Sequence, residues 1–513
     1  MRLDQLLPAL GDIPSDPTPE LEITALVDDS RQVVEGALFV AVRGTVTDGH
    51  RFLQDAVHGG AAAAVGEDPD PELGVPYFQV ADSRLALAQL AAAWHHHPAR
   101  NLVMIGVTGT DGKTTTTTLL HQIMTTAGLK TGMISSVSAW IGDRTEETGL
   151  HVTTPGALQV QGLLAEMLGG GVSHCVLETT SHGLAQHRVS ACEFDIGVVT
   201  NITHEHLDYH GSYEAYRKSK GMLLAGLDAD EVKPNGPAKA AVFNRDDASY
   251  SFLKKIAKVR QITFGLNRPA DVVATQIESG PKGLRFVAEW ERSRQTVRSP
   301  LIGEYNIANC LAAFAAAVVG LGLSPQVASK GIGLVSGIPG RMETIDLGQP
   351  FAAVVDFAHT PNALRRALET ARGLTNKRVI AVFGSAGLRD RAKRRMMAEI
   401  SAQLADLTVL TAEDPRTEPL DGILEEMAEG ARDHGAVEGK DFWRVPDRGQ
   451  ALRFAVGIAQ DGDLVISCGK GHEQSMCFGE VEHPWDDRVA MRAALSELMG
   501  VDGPSMPRLP TSE

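Results

Sequence analysis

Short apolar runs recur along the chain, each followed by a polar cluster and then by a stretch with helical spacing. Residues 37–42, 102–107, 174–177 and 196–199 are such runs, and so are 352–355, 379–383, 407–410 and 464–467. Runs of four to six apolar residues alternating with helical patterns predict α/β architecture built on mostly parallel sheets. The Ala-rich segment 85–94 and the segment 119–124 read as helices. Thr360 is placed as an N-cap, with Pro361 at the first helical position behind it. Three regions follow from this punctuation: 1–100, 101–336 and 337–502, the last entered through the hinge Gly337-Ile338-Pro339-Gly340. Residues 226–239, rich in charge, Gly and Pro, read as an exposed insertion, and residues 503–513, with three prolines, as a disordered tail.

At 513 residues, with 43% hydrophobic and 22% charged residues, the chain has ordinary globular composition and room for three cores. A formal net charge of −16 argues against a broad nucleic-acid or anionic-membrane surface, so an anionic substrate needs local Arg and Lys. Five scattered cysteines without C-x-x-C spacing read as reduced thiols. The first residues lack the apolar core of a signal peptide, and the longest apolar stretch, 310–323, is broken by Gly320 and Gly322. A cytoplasmic location without membrane insertion is the expectation.

In parallel sheets ligands bind at the carboxyl ends of the strands. The run 102–107 ends in Thr108-Gly109-Thr110-Asp111-Gly112-Lys113-Thr114-Thr115. Strand, Gly-rich turn and helix start make a phosphate cradle: loop amides and the helix N-terminus face the anion, Lys113 reaches the outer phosphates and the Thr114 hydroxyl reaches Mg²⁺. Val107 stands where the strict P-loop pattern has Gly, so the loop is a variant. Glu178, closing the run 174–177, is placed like the acidic metal residue of P-loop enzymes. His204-x-His206-x₃-His210 has zinc-like spacing. With no Cys nearby and a phosphate loop on the same edge, Mg²⁺ ranks above zinc, and His206 is a candidate ligand to a second ion. A second polar edge follows the runs of the third region, including Asp356, Arg389, Glu413-Asp414-Pro415-Arg416, and Gly469 with Glu473.

Taken together these motifs resemble the MurE-type muramyl ligases over nearly the whole chain. The resemblance rests on Gly109-Thr110-x-Gly112-Lys113-Thr114, Ser181-His182-Gly183-Leu184-Ala185-Gln186-His187-Arg188, His206-Leu207-Asp208-Tyr209-His210-Gly211, Gly340-Arg341-Met342-Glu343, Ala358-His359-Thr360-Pro361 and Gly469-Lys470-Gly471-His472-Glu473. It implies an N-terminal UDP-binding domain, a central ATP-binding domain and a C-terminal Rossmann-like domain. The implied reaction uses ATP and Mg²⁺ to form an acyl phosphate on the D-Glu γ-carboxylate of UDP-MurNAc-L-Ala-D-Glu, which the amine of a diamino acid then attacks. By family position Ser30, Thr45, Thr153, Thr154, Thr180, Gln186 and Arg188 would hold the UDP-dipeptide. Asn306, Arg341 and Asp356 would lie near the nucleotide, and Arg389, Asp414, Arg416, Gly469 and Glu473 around the amino acid. Lys220 would be carbamylated and bridge metal ions; spacing alone reads it as a residue on a solvated helix face. A monomer is the expected state.

Diaminopimelate-adding members carry Asp-Asn-Pro-Arg where this chain has Glu413-Asp414-Pro415-Arg416. Arg416 suits the distal carboxylate of meso-diaminopimelate, whereas Asp414 would suit a terminal ammonium. Arg416 is given more weight, which favours diaminopimelate and leaves L-lysine and ornithine open. A folylpolyglutamate-synthetase-like ligase and a nucleotide-binding ATPase without ligation are the alternative classes.

Overall fold

The structure, a computed structural model, describes residues 1–11, 20–44, 47–69, 72–136, 139–142, 144–146, 154–203, 207–229, 232–234, 236–267, 269–280 and 283–512. It divides into two compact units: Met1–Ala274 with Ala288–Gln295 and Ala308–Ile332, and Thr275–Val287 with Thr296–Ile307 and Gly333–Glu513.

The first unit holds two sheets. Ala25–Val27, Ala37–Val40, Ala61–Gly66 and Tyr77–Gln79 pair in that order, all parallel. The helix Ser83–Trp94 begins where the Asp82 carboxylate accepts from the Arg84 and Leu85 amides. Eight of its twelve residues are buried, on nearly every face. A helix apolar all round must be covered on more than one side. Leu38, Val40 and Val65 of the small sheet cover it, in a cluster that also takes in Ala157 from the helix Ala157–Gly169 of the second sheet. This continuous core joins the small sheet to the second sheet. The second sheet has a parallel centre in the order Arg260–Gly265, Ala240–Asn244, Ile196–Val199, Val103–Thr108, His174–Glu178, Thr131–Ile134. Its central strands are buried on both faces, which is why they read as unbroken apolar runs.

In the second unit Ala352–Asp356, Leu464–Cys468, Val379–Phe383, Leu407–Leu410 and Phe442–Arg444 pair in that order, all parallel. One face packs on the helices Pro361–Leu374, Ala392–Leu404 and Leu420–Asp433, the other on Arg448–Ile458 and Asp487–Met499. Thr360 caps the first of these helices, accepting from the Ala363 amide, with Pro361 opening the first turn. Across the second face Arg448 and Asp487, both fully buried, pair at 2.6 Å, and the Trp485 indole and Ser467 hydroxyl also donate to Asp487.

One sequence expectation holds only in part, and another fails. In the segment 226–239 the helix Tyr213–Ala229 continues through Gly226, and Lys233 and Lys239 are buried against the fully buried Asp195. Their ammonium groups also donate to the backbone oxygens of Leu102 and Phe194, so these two charges form an internal clamp, while Gly226, Asp228, Val232, Pro234 and Ala238 are exposed as expected. The tail is likewise ordered: Leu509 is buried in the second unit, and Thr511 and Ser512 donate to the Asp447 carboxylate. The apolar stretch 310–323 runs through the helix Tyr305–Phe314 and the π-helical turn Ala315–Gly320, and its last three residues lie beyond that turn. Among the described residues no helix is long and apolar enough to cross a membrane.

Candidate active site

The phosphate loop runs from the strand Val103–Thr108 to the helix Lys113–Thr126, and the end of Ile196–Val199 ties it down. Asn201 accepts from the Asp111 amide through Oδ1 (3.0 Å), returns a hydrogen bond to the Asp111 carbonyl (3.0 Å), and accepts from the Thr110 amide through its own carbonyl. The Thr200 hydroxyl donates to the Asp111 carbonyl at 2.6 Å. Gly112 caps the helix in the left-handed region (φ +82°), and a Cβ there would lie 2.1 Å from Asn309 Oδ1. Only glycine fits that position. Lys113 Nζ donates back to the Thr110 carbonyl at 2.9 Å.

Oxygen donors gather where the helix starts. The Thr114 hydroxyl donates to Glu178 Oε1 (3.1 Å) and lies 3.2 Å from the Ser136 hydroxyl, while the Ser136 amide and hydroxyl both donate to Glu178 Oε2. These are hard ligands of the kind Mg²⁺ takes. Lys220, expected from spacing on a solvated face, is instead 2% exposed. Its Nζ donates to the Gly109 carbonyl at 2.6 Å and lies 4.7 Å from the centre of the Tyr216 ring. Tyr216 in turn shares a hydrogen bond with the Thr110 hydroxyl, so one helix face braces the loop through two side chains. His206, Thr45 and Thr153 lie outside the described residues. Among those described, no three His, Cys, Asp or Glu side chains converge on one point.

Two residues beyond Glu178, the Thr180 amide donates to the Thr154 hydroxyl (3.0 Å), and that hydroxyl also contacts Thr180 Oγ1 and the Glu178 carbonyl. Arg188 donates to the Thr154 carbonyl and to Gln186 Oε1, and Gln186 donates to the Tyr209 hydroxyl. Burial, and then the Arg84 guanidinium, lower the Arg188 pKa from its ordinary value. Thr154, Thr180, Gln186 and Arg188 therefore form one cluster. Ser30 sits in the turn Ser30–Gln32 at the end of the small sheet, half-buried and apart from that hydrogen-bonded group.

In the second unit the Asp356 carboxylate accepts from the Met342 and Ala358 amides, and Arg341 stacks 4.4 Å from the centre of the Phe357 ring. Phe357 also packs on His472, held well below the ordinary imidazole range by burial and by Arg341, Arg488, His359 and Lys470. Asn306 stands at the start of Tyr305–Phe314 and donates to the Ile302 carbonyl. Glu413 follows the strand Leu407–Leu410; it is 5% exposed, and a Cβ on Gly469 would lie 2.4 Å from its Oε2. Burial pushes its carboxyl up to about 7, and Oε2 has no hydrogen-bond partner. Pro415 is buried and Arg389 exposed. Asp414 departs from expectation: Lys470 Nζ lies 3.0 Å from each of its oxygens, so an internal ammonium occupies the place argued for a substrate's. Sequence reasoning also missed Asn201, Ser136, Tyr216 and Asn309 as loop supports. Asn201, in Thr200-Asn201, and Asn309, in Gly303-x-x-Asn306-x-x-Asn309, stand in segments that also resemble the muramyl ligases, whereas Ser136 and Tyr216 carried no signal.

A variant phosphate loop on a parallel sheet, with an acidic strand end beside it, defines a nucleotide-binding α/β protein of P-loop type. Residues 22–95, 107–317 and 340–471 match, respectively, the Mur ligase family catalytic domain, the Mur ligase middle domain and the Mur ligase glutamate ligase domain. The chain is 42% identical over 507 residues to a UDP-N-acetylmuramyl-tripeptide synthetase of Roseiflexus sp., covering 97% of this chain and 99% of the relative. It is 41% identical over 478 residues to a UDP-N-acetylmuramoyl-L-alanyl-D-glutamate–2,6-diaminopimelate ligase of Geobacillus thermodenitrificans, covering 93% and 95%. A solved structure of a ligase of that same description superposes with a TM-score of 0.66 at 29% identity, covering 97% and 99%. The chain belongs to the Mur ligase family.

Proposed function

We propose that the protein is an ATP-dependent amide ligase that adds meso-diaminopimelate to UDP-MurNAc-L-Ala-D-Glu in the synthesis of peptidoglycan precursors. The observation that carries this reading is the end of the strand His174–Glu178. There Glu178 bonds the phosphate loop through Thr114, and Thr180, two residues on, bonds Thr154 in the cluster with Arg188. A phosphoryl donor and an acceptor carboxylate are thereby given adjoining seats, as positioning-dominated phosphoryl transfer requires. Lys113 and the loop amides hold the outer phosphates of ATP. Mg²⁺ would be held by Thr114 and Glu178, with Lys220 as a carbamate and His206, and would neutralise charge on the transferring phosphoryl group. The UDP-dipeptide is held by Thr154, Thr180, Gln186 and Arg188 together with Ser30, Thr45 and Thr153. Asn306, Arg341 and Asp356 serve the nucleotide, and Arg389, Arg416, Gly469 and Glu473 the incoming amino acid. Arg416 favours diaminopimelate over lysine because a guanidinium pairs with the distal carboxylate that lysine lacks.

The test is ADP release measured with the UDP-dipeptide and with meso-diaminopimelate, L-lysine or L-ornithine added separately. Release is expected to require the UDP-dipeptide and to be fastest with diaminopimelate. Release indifferent to both acceptors would overturn the ligase reading, and a preference for lysine would overturn the choice of amino acid alone.

A further inference from the structure

The segment Gln186 to Arg188 and the turn Leu207–His210 meet through one side chain. Gln186 Nε2 donates to the Tyr209 hydroxyl at 3.0 Å, while Gln186 Oε1 accepts from Arg188 Nε at 3.1 Å and from Arg188 Nη2 at 2.7 Å. A guanidinium only donates, so the oxygen of the Gln186 amide must face Arg188 and its nitrogen must face Tyr209. The phenol oxygen is therefore an acceptor, and it fixes which way this amide turns. Arg188 also donates from Nη1 to the Thr154 carbonyl at 2.7 Å. All these acceptors are uncharged, and among the described residues no carboxylate pairs with Arg188. Its positive charge is held in place by dipoles and left without a counter-ion, which suits a guanidinium that is to receive an anion.

Tyr209 is itself set between elements. It is half-buried, and its ring centre lies 4.1 Å from that of His182, on the helix Ser181–Ala185, and 4.8 Å from that of His210, which meets it edge on. His210 in turn lies 5.3 Å from Tyr216, on the helix Tyr213–Ala229 whose Tyr216 and Lys220 brace the phosphate loop. A phenol wedged between two imidazoles has little freedom to move its oxygen, so the acceptor it offers Gln186 is fixed in place. We propose that Tyr209 is a positioning residue of the ligase reaction: its hydroxyl holds the Gln186 amide in the orientation that seats Arg188 for the anionic UDP-dipeptide. The inference rests on the proposed function, in which Gln186 and Arg188 hold that substrate, and assigns a residue that acts through them.

The experiment uses the full-length protein as wild type, Tyr209→Phe, Gln186→Ala and the double variant, with thermal unfolding as the check on folding. Calorimetry gives the Kd of UDP-MurNAc-L-Ala-D-Glu, and ADP release gives KM for that substrate and for ATP. Tyr209→Phe keeps the ring contacts and removes the acceptor. Its Kd and KM for the UDP-dipeptide are expected to rise about 5–10-fold, the size of one hydrogen bond, while KM for ATP stays within about 2-fold. In the Gln186→Ala background the same substitution should change the UDP-dipeptide values by less than about 2-fold, because the group it acts through is gone. A parallel rise for ATP signals general loosening and overturns the proposal. An undiminished effect in the Gln186→Ala background means that Tyr209 touches the substrate itself, and also overturns it. Should Gln186→Ala not fold, the split between UDP-dipeptide and ATP in Tyr209→Phe decides. Wild-type binding of the UDP-dipeptide by Tyr209→Phe overturns the inference alone, whereas no binding to the wild type overturns the proposed function and the inference with it.

Discussion

Gly112 is where the smallest change should have the largest effect. A Cβ at this left-handed position would lie 2.1 Å from Asn309 Oδ1, so Gly112→Ala must displace the loop or the asparagine. A 1 Å error in placing reacting groups costs on the order of 10²-fold in rate, and ADP release by Gly112→Ala is expected to fall by about that factor. Lys220→Ala is expected to lose about 10²–10³-fold in ADP release, the size of removing one electrostatic group from a transition state, with partial recovery on adding small carboxylates. Activity equal to wild type in that variant would refute the carbamate reading. Glu413 gives a pH signature. Its folded pKa, about 7, is above the ordinary 4.5, so between those values the native state binds more protons than the unfolded one. Stability therefore falls as pH rises from about 4.5 to 7, by up to ~3 kcal/mol, and is flat above. Glu413→Gln, neutral throughout, should lack that fall in denaturant titrations at pH 5 and pH 8; an unchanged pH slope would contradict it.

At the scale of elements, the loops after Val379–Phe383 and Leu407–Leu410 are latched together. Arg394, 1% exposed, donates to Glu418 at 2.7 Å, to Glu426 at 3.0 Å and to the Ala386 carbonyl, and Glu418 accepts from the Leu388 amide. Leu388, Asp414 and Arg416 all have positive φ, a strain that persists only where the surroundings hold it. Arg394 touches none of the proposed substrate seats, so it acts as a positioning residue for Arg389 and Arg416. Arg394→Ala should raise KM for the amino acid by ~10-fold through lost positioning while KM for ATP changes little. Arg394→Lys, which keeps the charge but not the fork, should recover part of it. Equal changes in both KM values would indicate general loosening instead. Little of this latch was legible in advance. The strands 379–383 and 407–410 were read at their observed bounds because apolar runs are local. The pairing of Arg394 with Glu418 depends on two loops meeting, which periodicity does not encode.

For the whole molecule, the C-terminal segment is the clearest test. Leu509 is buried, Met506 packs beside Gly449, and Thr511 and Ser512 donate to Asp447, which itself caps the helix Arg448–Ile458 through the Gln450 amide. Burying one Leu contributes about 1.5–3 kcal/mol and each hydrogen bond about 1. Deleting residues 503–513 should lower the stability of the second unit by about 3 kcal/mol and its Tm by ~5–10 °C, read by calorimetry. An unchanged Tm would mean that the segment contributes nothing. Composition misled here: three prolines in eleven residues read as disorder, yet proline lowers the entropy lost on docking an extended segment.

The amino-acid sequence by itself determined the α/β class, the bounds of the strands 196–199, 379–383 and 407–410, the phosphate loop with Glu178 beside it, and the cap at Thr360. Each follows from periodicity, turn chemistry or helix-end chemistry within a few residues of chain. Only the tertiary structure decided which charges face ligands and which face one another. Lys220 reaches the Gly109 carbonyl across 111 residues, and Lys470 reaches Asp414 across 56. A charged side chain reads the same in sequence whether water, a substrate or a distant partner satisfies it. Burial distinguishes these cases, because an ion removed from water is stable only beside its counter-ion or hydrogen-bond partner, and the fold alone supplies that neighbour.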